Sequence, residues 1–244
     1  MTMKKFLIST LVLLFTGWSS ATADNEDGSR LWLRLETTNA AKAIKGVKGT
    51  AMTELQTYWK GGSVELKKEK GIAGDGYTIK SNGGKIVISA ACDAGLLYGA
   101  YHLLRLQQME ASTASLDISE KPAYDLRILN HWDNPNGTVE RGFAGKSIFQ
   151  YPDPARMKMY ARACASVGIN GSVLNNVNAK PEALTTDNLH QVRRIADMLR
   201  PYGIRVYLSI NFASPIKVGG LDTADPIDAD VVKWWKERRR RSMD

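Results

Sequence analysis

From Asp125 onward, short apolar runs alternate with amphipathic segments of helical period, and this alternation constrains the fold more than any other feature of the chain. Strands that alternate with helices run parallel, because each helix returns the chain to the starting edge of the sheet by a right-handed crossover. Strand one is expected over about Asp125–Asn130. The helix after it covers Asp153–Val167, with Met157, Tyr160, Ala161, Cys164 and Val167 on one face. Strand two covers Gly171–Leu174, followed by a helix over Asp187–Leu199 that Pro201 and Gly203 bring to an end. Strand three covers Arg205–Ile210, and a further helix starts near Asp228 and contains Trp234 and Trp235.

The chain before Asp125 reads differently. Leu31–Leu35 alternates like a strand, Ala40–Val47 and Ala51–Trp59 read as short helices, and Ser63–Leu66 as a short strand. Gly76–Ile79 and Lys85–Ser89 are strands joined by Ser81-Asn82-Gly83-Gly84, a hairpin signal because Asn and Gly tolerate positive φ. Asp93–Gln108 is a helix, with Leu96, Leu97, Ala100, Leu103, Leu104 and Gln107 at helical spacing and Asp93 as a candidate cap. His102 on this helix is assigned to packing or to its surface. Residues 111–124 form a polar connector containing Pro122. The expected division is a small α/β domain over 31–110, the connector, and a β/α unit over 125–244.

The extreme N-terminus is read apart from the fold. Lys4 and Lys5 precede an apolar run from Phe6 to Phe15, and Ala21-Thr22-Ala23 supplies small residues at cleavage spacing. Residues 1–23 therefore read as a signal peptide cut after Ala23, with 24–30 as a flexible mature terminus. The run is too short to span a bilayer. The expectation is a secreted or periplasmic protein with no membrane association after cleavage.

The net charge of +8 falls to +6 without Lys4 and Lys5, and the four arginines Arg238–Arg241 account for all but +2 of that. An excess confined to one terminal run does not describe a nucleic-acid surface. Cys92 and Cys164 are the two cysteines. Export permits a disulfide, but each sits among small apolar residues and is expected as a buried free thiol. Neither has His or Cys neighbours at metal-ligand spacing, so no metal site is expected. Gly219-Gly220-Leu221 lacks the Lys and the strand–helix setting of a phosphate loop.

In a β/α architecture, functional side chains gather where strands become loops. Strand one ends in His131, Trp132, Asp133 and Asn134. Strand two ends in Asn175, Asn176, Val177 and Asn178, and strand three in Asn211, Phe212 and Ser214. A Trp ring offers a flat apolar face to the C–H side of a pyranose, and Asp or Asn can pair its hydroxyls. The same residues also suit solvated turns around a core Trp, since Asn tolerates left-handed geometry. Asn at three successive strand ends favours a ligand-facing rim. His131 is read as a rim residue supporting its loop.

The segment Arg127–Phe149 reads RILNHWDNPNGTVERGFAGKSIF. Its NHWDN, ERG and AGKSIF elements resemble the first barrel strand of the α-glucuronidases of glycoside hydrolase family sixty-seven. The resemblance extends from about Leu31 to Trp235. GYTIK–SNGG–KIVISA–ACDAGLLYGAYHLLRL is similar to the small α/β domain that precedes the barrel in several glycoside hydrolase families.

The resemblance implies a small N-terminal α/β domain followed by the first three βα units of a truncated TIM (β/α)8 barrel. It implies a cofactor-free, inverting hydrolase. Its substrates would be glucuronoxylan-derived oligosaccharides carrying α-1,2-linked glucuronic acid, usually 4-O-methylated. Trp132 would stack on that sugar, Val177 would line the pocket for its methyl group, and Asn176 would lie beside them. Asn211 completes the candidate set on strand three, and Asp133 and Asn134 are further candidates.

Glycoside hydrolysis commonly needs two carboxyl groups across the scissile bond. Asp133 and Glu140 lie on one loop, and Glu140 beside Arg141 suits an ion pair instead. Asp222, Asp225 and Asp228 sit in a Gly/Pro-containing loop and read as solvated. The resemblance puts the general acid on a Glu after a fourth barrel strand and the base later still. No catalytic residue is therefore assigned in this chain. A full barrel needs eight βα units and roughly 250 residues, and the Arg238–Arg241 run reads as a premature end. The expectation is an inactive fragment; a non-catalytic module that binds uronosyl sugars is the alternative.

Overall fold

A computed structural model describes residues 33, 35–38, 43–133, 147–149, 153–175 and 177–241. The expected signal peptide, residues 24–30 and most of the expected strand Leu31–Leu35 lie outside them. Among the described residues the chain is a mixed α/β protein with two sheets.

The first sheet is assembled from β1 (Ile44–Gly46), β2 (Ser63–Lys68), β3 (Tyr77–Asn82), β4 (Lys85–Ala90) and β5 (Asp117–Glu120), in the order β1-β2-β4-β3-β5. β1, β2 and β4 run parallel, while β3 lies antiparallel to both β4 and β5. Helices α1 (Thr50–Tyr58) and α2 (Asp93–Gln108) complete the layer. Val64, Leu66, Ile79, Ile86 and Ile88 are buried on the helix-facing side. Their neighbours along β2 and β3 are half-buried or exposed, and β4 alternates likewise up to Ile88, after which Ser89 and Ala90 are buried too. That alternation is the signature of a sheet covered on one face.

The hairpin β3–β4 turns at Gly83 and Gly84, with φ of 58° and 81°. Two successive positive φ values give the turn whose twist matches the flanking strands. Helix α2 has its expected bounds, but its cap is Cys92, whose Sγ accepts from Gly95 N at 3.4 Å. Asp93 instead pairs with Lys68 at 2.8 Å.

Ala40–Val47 was expected as a helix, yet Ile44–Gly46 is a strand paired with Val64–Leu66. Local Ala and Lys favour a helix, but pairing with a buried strand outweighs that weak preference. Gly46 has φ 99°, and a Cβ there would meet Leu66 O at 1.9 Å. The polar segment 111–124, expected as a connector, contributes β5, which adds to β3 through Tyr77↔Glu120 to Lys80↔Asp117.

The second sheet contains, among the described residues, β6 (Ile128–Asp133), β7 (Gly171–Asn175) and β8 (Arg205–Tyr207), all parallel and in that order. Helix α3 (Pro154–Ser166) links β6 to β7, and α4 (Thr186–Leu199) links β7 to β8. Asp153 caps α3 through Ala155 N and Arg156 N, and Thr185 caps α4 through Asn188 N. A short α5 (Ser214–Lys217) and the longer α6 (Ala229–Arg241) follow. α6 runs on through the arginine run, with Asp228 Oδ1 accepting from Asp230 N and Val231 N at its start.

The two parts share one core. α1 and α2 lie between the first sheet and α3, and buried residues from Leu55 and Leu104 to Met157, Leu174 and Ile195 form one hydrophobic cluster. Two ion pairs cross the junction, Arg162–Glu54 and Arg127–Asp75. Thr50 Oγ1 also donates to Pro201 O at 2.6 Å.

Candidate functional site

Because β6, β7 and β8 are parallel, their C-terminal ends lie along one edge of the sheet. Trp132, Val177 and Asn211 follow from those ends and share that edge. Asn134 and Asn176 lie outside the described residues.

The sequence reading ended strand one at Asn130, whereas β6 continues through Asp133. Its ladder to β7 shifts register between Asn130, opposite Val173, and Asp133, opposite Asn175. Three steps on β6 therefore cover two on β7, which is a bulge. Trp132 takes up the excess with φ 59°. A bulky side chain at positive φ is a backbone outlier, and such strain gathers at functional sites. Trp132 is half-buried, so the indole is neither core nor free surface.

Asp133 turns inward and is fully buried. Its Oδ2 accepts from Ser147 Oγ at 2.7 Å and its Oδ1 from Ile148 N at 3.1 Å. The carboxylate is thus engaged within the fold rather than held out toward a sugar hydroxyl.

His131 packs edge-on against Tyr160, ring centroids 5.2 Å apart. Tyr160 OH shares a hydrogen bond of 2.8 Å with Ser172 Oγ. Burial pulls the His131 pKa below its usual value, and the nearby Asp133 charge only partly opposes this. A neutral imidazole wedged against a tyrosine suits a supporting role.

The asparagines divide. Asn175 Nδ2 donates to Ser209 O at 2.9 Å while its Oδ1 accepts from Ser209 N at 2.8 Å. Its amide therefore acts as a surrogate peptide that extends the β7–β8 ladder past Tyr207. Asn211 Nδ2 donates to Ala179 O at 3.1 Å and Oδ1 accepts from Ala213 N at 2.8 Å, tying the loop after β8 to the loop after β7. Both amides are committed to backbone groups. Val177 and Phe212 are instead exposed, at 59% and 78%. Phe212 was not singled out as a ligand residue from sequence; its signal was an aromatic placed directly after a strand-end Asn.

Cys92 and Cys164 are both free, the first half-buried rather than buried. Among the described residues, no group of three His, Cys, Asp or Glu side chains could hold a metal ion, and no helix is long and apolar enough to cross a membrane.

An Alpha-glucuronidase A from Emericella nidulans is 39% identical over 221 residues, covering 86% of this chain and 25% of its own length. A protein from Aspergillus terreus named "Probable alpha-glucuronidase A" is 44% identical over 166 residues, covering 66% of this chain and 20% of its own. The chain thus spans about a fifth to a quarter of these curated relatives. A solved family GH115 4-O-methyl-alpha-glucuronidase superposes with a TM-score of 0.53 at 15% identity, over 84% of this chain and 34% of that one. At that identity the likeness speaks for the fold alone. The glycosyl hydrolase family 67 N-terminus matches residues 3–103 and the family 67 middle domain matches residues 106–243. With more than half of its length matched by the middle domain and the rest largely by the N-terminus, the chain belongs to glycosyl hydrolase family 67.

Proposed function

We propose that this chain forms the sugar-holding side of an α-glucuronidase. In this reading β6, β7 and β8 are the first three strands of a (β/α)8 barrel, and their shared C-terminal edge faces the substrate. The substrate is an oligosaccharide from glucuronoxylan that bears α-1,2-linked glucuronic acid or its 4-O-methyl ether. The observation that carries the reading is Trp132, half-buried at a bulge on the C-terminal edge and held at φ 59°. Its indole suits the apolar face of a pyranose, and the exposed Val177 suits an O-methyl group.

The division of chemistry follows from the carboxylates. Asp133 is engaged in the fold, while Asp225 and Asp228 bond to backbone N–H groups of their own turns. An acid–base pair across a glycosidic bond needs two carboxyl groups about 5–10 Å apart. We assign that pair, and hence inverting hydrolysis, to parts of the enzyme beyond these residues, so the chain alone binds without turning over. Export with cleavage after Ala23 belongs to the same proposal.

Titration calorimetry of the 244-residue chain with an aldouronic acid, beside undecorated xylotetraose, tests the reading. Binding should require the uronosyl group and fall roughly 2- to 10-fold in Trp132→Ala, the range expected for one aromatic contact. Equal affinity in Trp132→Ala removes Trp132 from the site. Release of glucuronic acid by the chain alone overturns the assignment of the chemistry elsewhere.

A further inference from the structure

Asp133 follows Trp132 directly, is wholly buried, and sits where β6 resumes its register with β7. A carboxylate withdrawn from water is tolerated where hydrogen bonds replace its hydration. Here the donors come from Ser147 and Ile148. Ser147 Oγ and Ile148 N reach the two oxygens, and Ser147 Oγ accepts in turn from Phe149 N at 3.1 Å. Ser147, Ile148 and Phe149 are all buried. Asp133 and Ser147, 14 positions apart, are therefore joined directly.

The strain at Trp132 needs such an anchor. Asn130 is held opposite Val173 and Asp133 opposite Asn175, so Trp132 lies in a span with one residue too many. Its positive φ persists only while both ends of that span are fixed. We propose that Asp133 is a positioning residue. Its bonds to Ser147 and Ile148 lock the register beyond the bulge, hold Trp132 in its left-handed backbone conformation and so set the indole for stacking. The last clause rests on the sugar-binding reading above; the hold on the backbone does not.

The test uses the 244-residue chain labelled with 15N-tryptophan. The indole Nε1–H resonance of Trp132 is identified by its loss in Trp132→Phe. Asp133→Ala and Ser147→Ala should shift or split that resonance in chains whose far-UV circular dichroism is unchanged. Asp133→Asn, which keeps an acceptor for Ile148 N, should move it less. An unmoved resonance in the folded variants overturns the proposal, and Ser147→Ala decides alone if Asp133→Ala does not fold.

Calorimetry with an aldouronic acid supplies the second arm. Asp133→Ala should lose about as much affinity as Trp132→Ala, roughly 2- to 10-fold, and the double variant should lose no more than Trp132→Ala alone. Additive losses would put Asp133 in contact with the sugar and overturn the positioning role. Unchanged affinity in Trp132→Ala would remove the sugar reading only, leaving the indole resonance to decide whether Asp133 positions Trp132.

Discussion

Glu54 and Arg162 stand 108 positions apart in sequence and form a two-point ion pair, Nε to Oε2 at 2.7 Å and Nη2 to Oε1 at 2.9 Å. Glu54 lies on α1 and Arg162 on α3, so the pair fastens the first sheet's helix layer to the β/α unit. The guanidinium also lies 4.9 Å from the Tyr58 ring centroid. Glu54 is 2% exposed, so loss of Arg162 strands its carboxylate, whereas the Arg162 side chain keeps 18% exposure.

Removing one partner should be costly. Arg162→Ala is expected to lower the unfolding free energy in urea by roughly 3–5 kcal/mol, because the buried Glu54 carboxylate loses its charge partner, and Glu54→Ala, which leaves a part-exposed guanidinium, by less. Arg162→Lys should retain only part of the stability, since an ammonium cannot supply the two-point fork or the stacking. Replacing both by apolar residues should destabilise less than the two single losses summed. A loss under about 1 kcal/mol in Arg162→Ala would show that the Glu54–Arg162 pair adds little to the junction.

Histidine burial gives a pH dependence of definite sign. Burial lowers the pKa of His131, and burial with the Arg105 charge lowers that of His102, whose Nδ1 lies 2.9 Å from Tyr77 OH. A depressed folded-state pKa means the unfolded chain binds more protons between the two values, so stability rises with pH there. The contribution is full above the unfolded value of about 6.5 and is lost as pH falls below it. Urea midpoints should therefore decline on acidification below about pH 6.5, less steeply in His131→Gln. Imidazole proton resonances titrating above 6.5 would contradict this.

The two thiols should separate by reactivity. Cys164 is 5% exposed, and burial pushes its pKa up to about 11 despite its neighbour Tyr160. Cys92 is half-buried at the start of α2. A thiol-specific disulfide reagent should label Cys92 in the folded chain and reach Cys164 only on unfolding. Labelling of both at equal rates in native buffer would show that α3 opens locally.

Asn175 offers a test of the ladder surrogate. Asn175→Asp keeps an acceptor for Ser209 N but places a carboxylate oxygen against Ser209 O. A loss of about 1–3 kcal/mol is expected, as for a buried partner left unsatisfied. Amide exchange at Ser209 should accelerate in Asn175→Ala, which removes the acceptor for Ser209 N, and unchanged exchange there would refute the pairing.

The parts of the fold that sequence makes legible share one trait: their information is local. Helix α2 has its expected bounds because Leu96 to Leu104 carry a clean helical period, and the β3–β4 hairpin declares itself in Gly83-Gly84. β1 was misread because its strand character comes from Val64–Leu66, a partner distant in sequence. β5 was hidden in polar Asp117–Glu120 for the same reason, as an edge strand needs only one paired side. At the site, Trp132 could be named from sequence, but its φ depends on a register set by Val173 and Asn175. Asn175 and Asn211 looked like ligand residues because an amide suits a sugar hydroxyl and a peptide group equally well. Only the positions of Ser209, Ala179 and Ala213 decide between the two.

The pairing of β5 with β3 changes what counts as a separable piece of this protein. Gln108, at the end of α2, looks like a natural place to divide the chain. Yet a fragment ending there would carry β3 with one edge stripped of its partner and open to pairing with another chain. The strand that heals that edge arrives only after the helix has finished, so the first sheet is completed by residues that head toward the second. The border between the two matched family segments, near residues 103–106, and the border of the first sheet therefore do not coincide. A donor segment grafted onto this scaffold would need to carry its own seam, Asp117–Glu120, along with it.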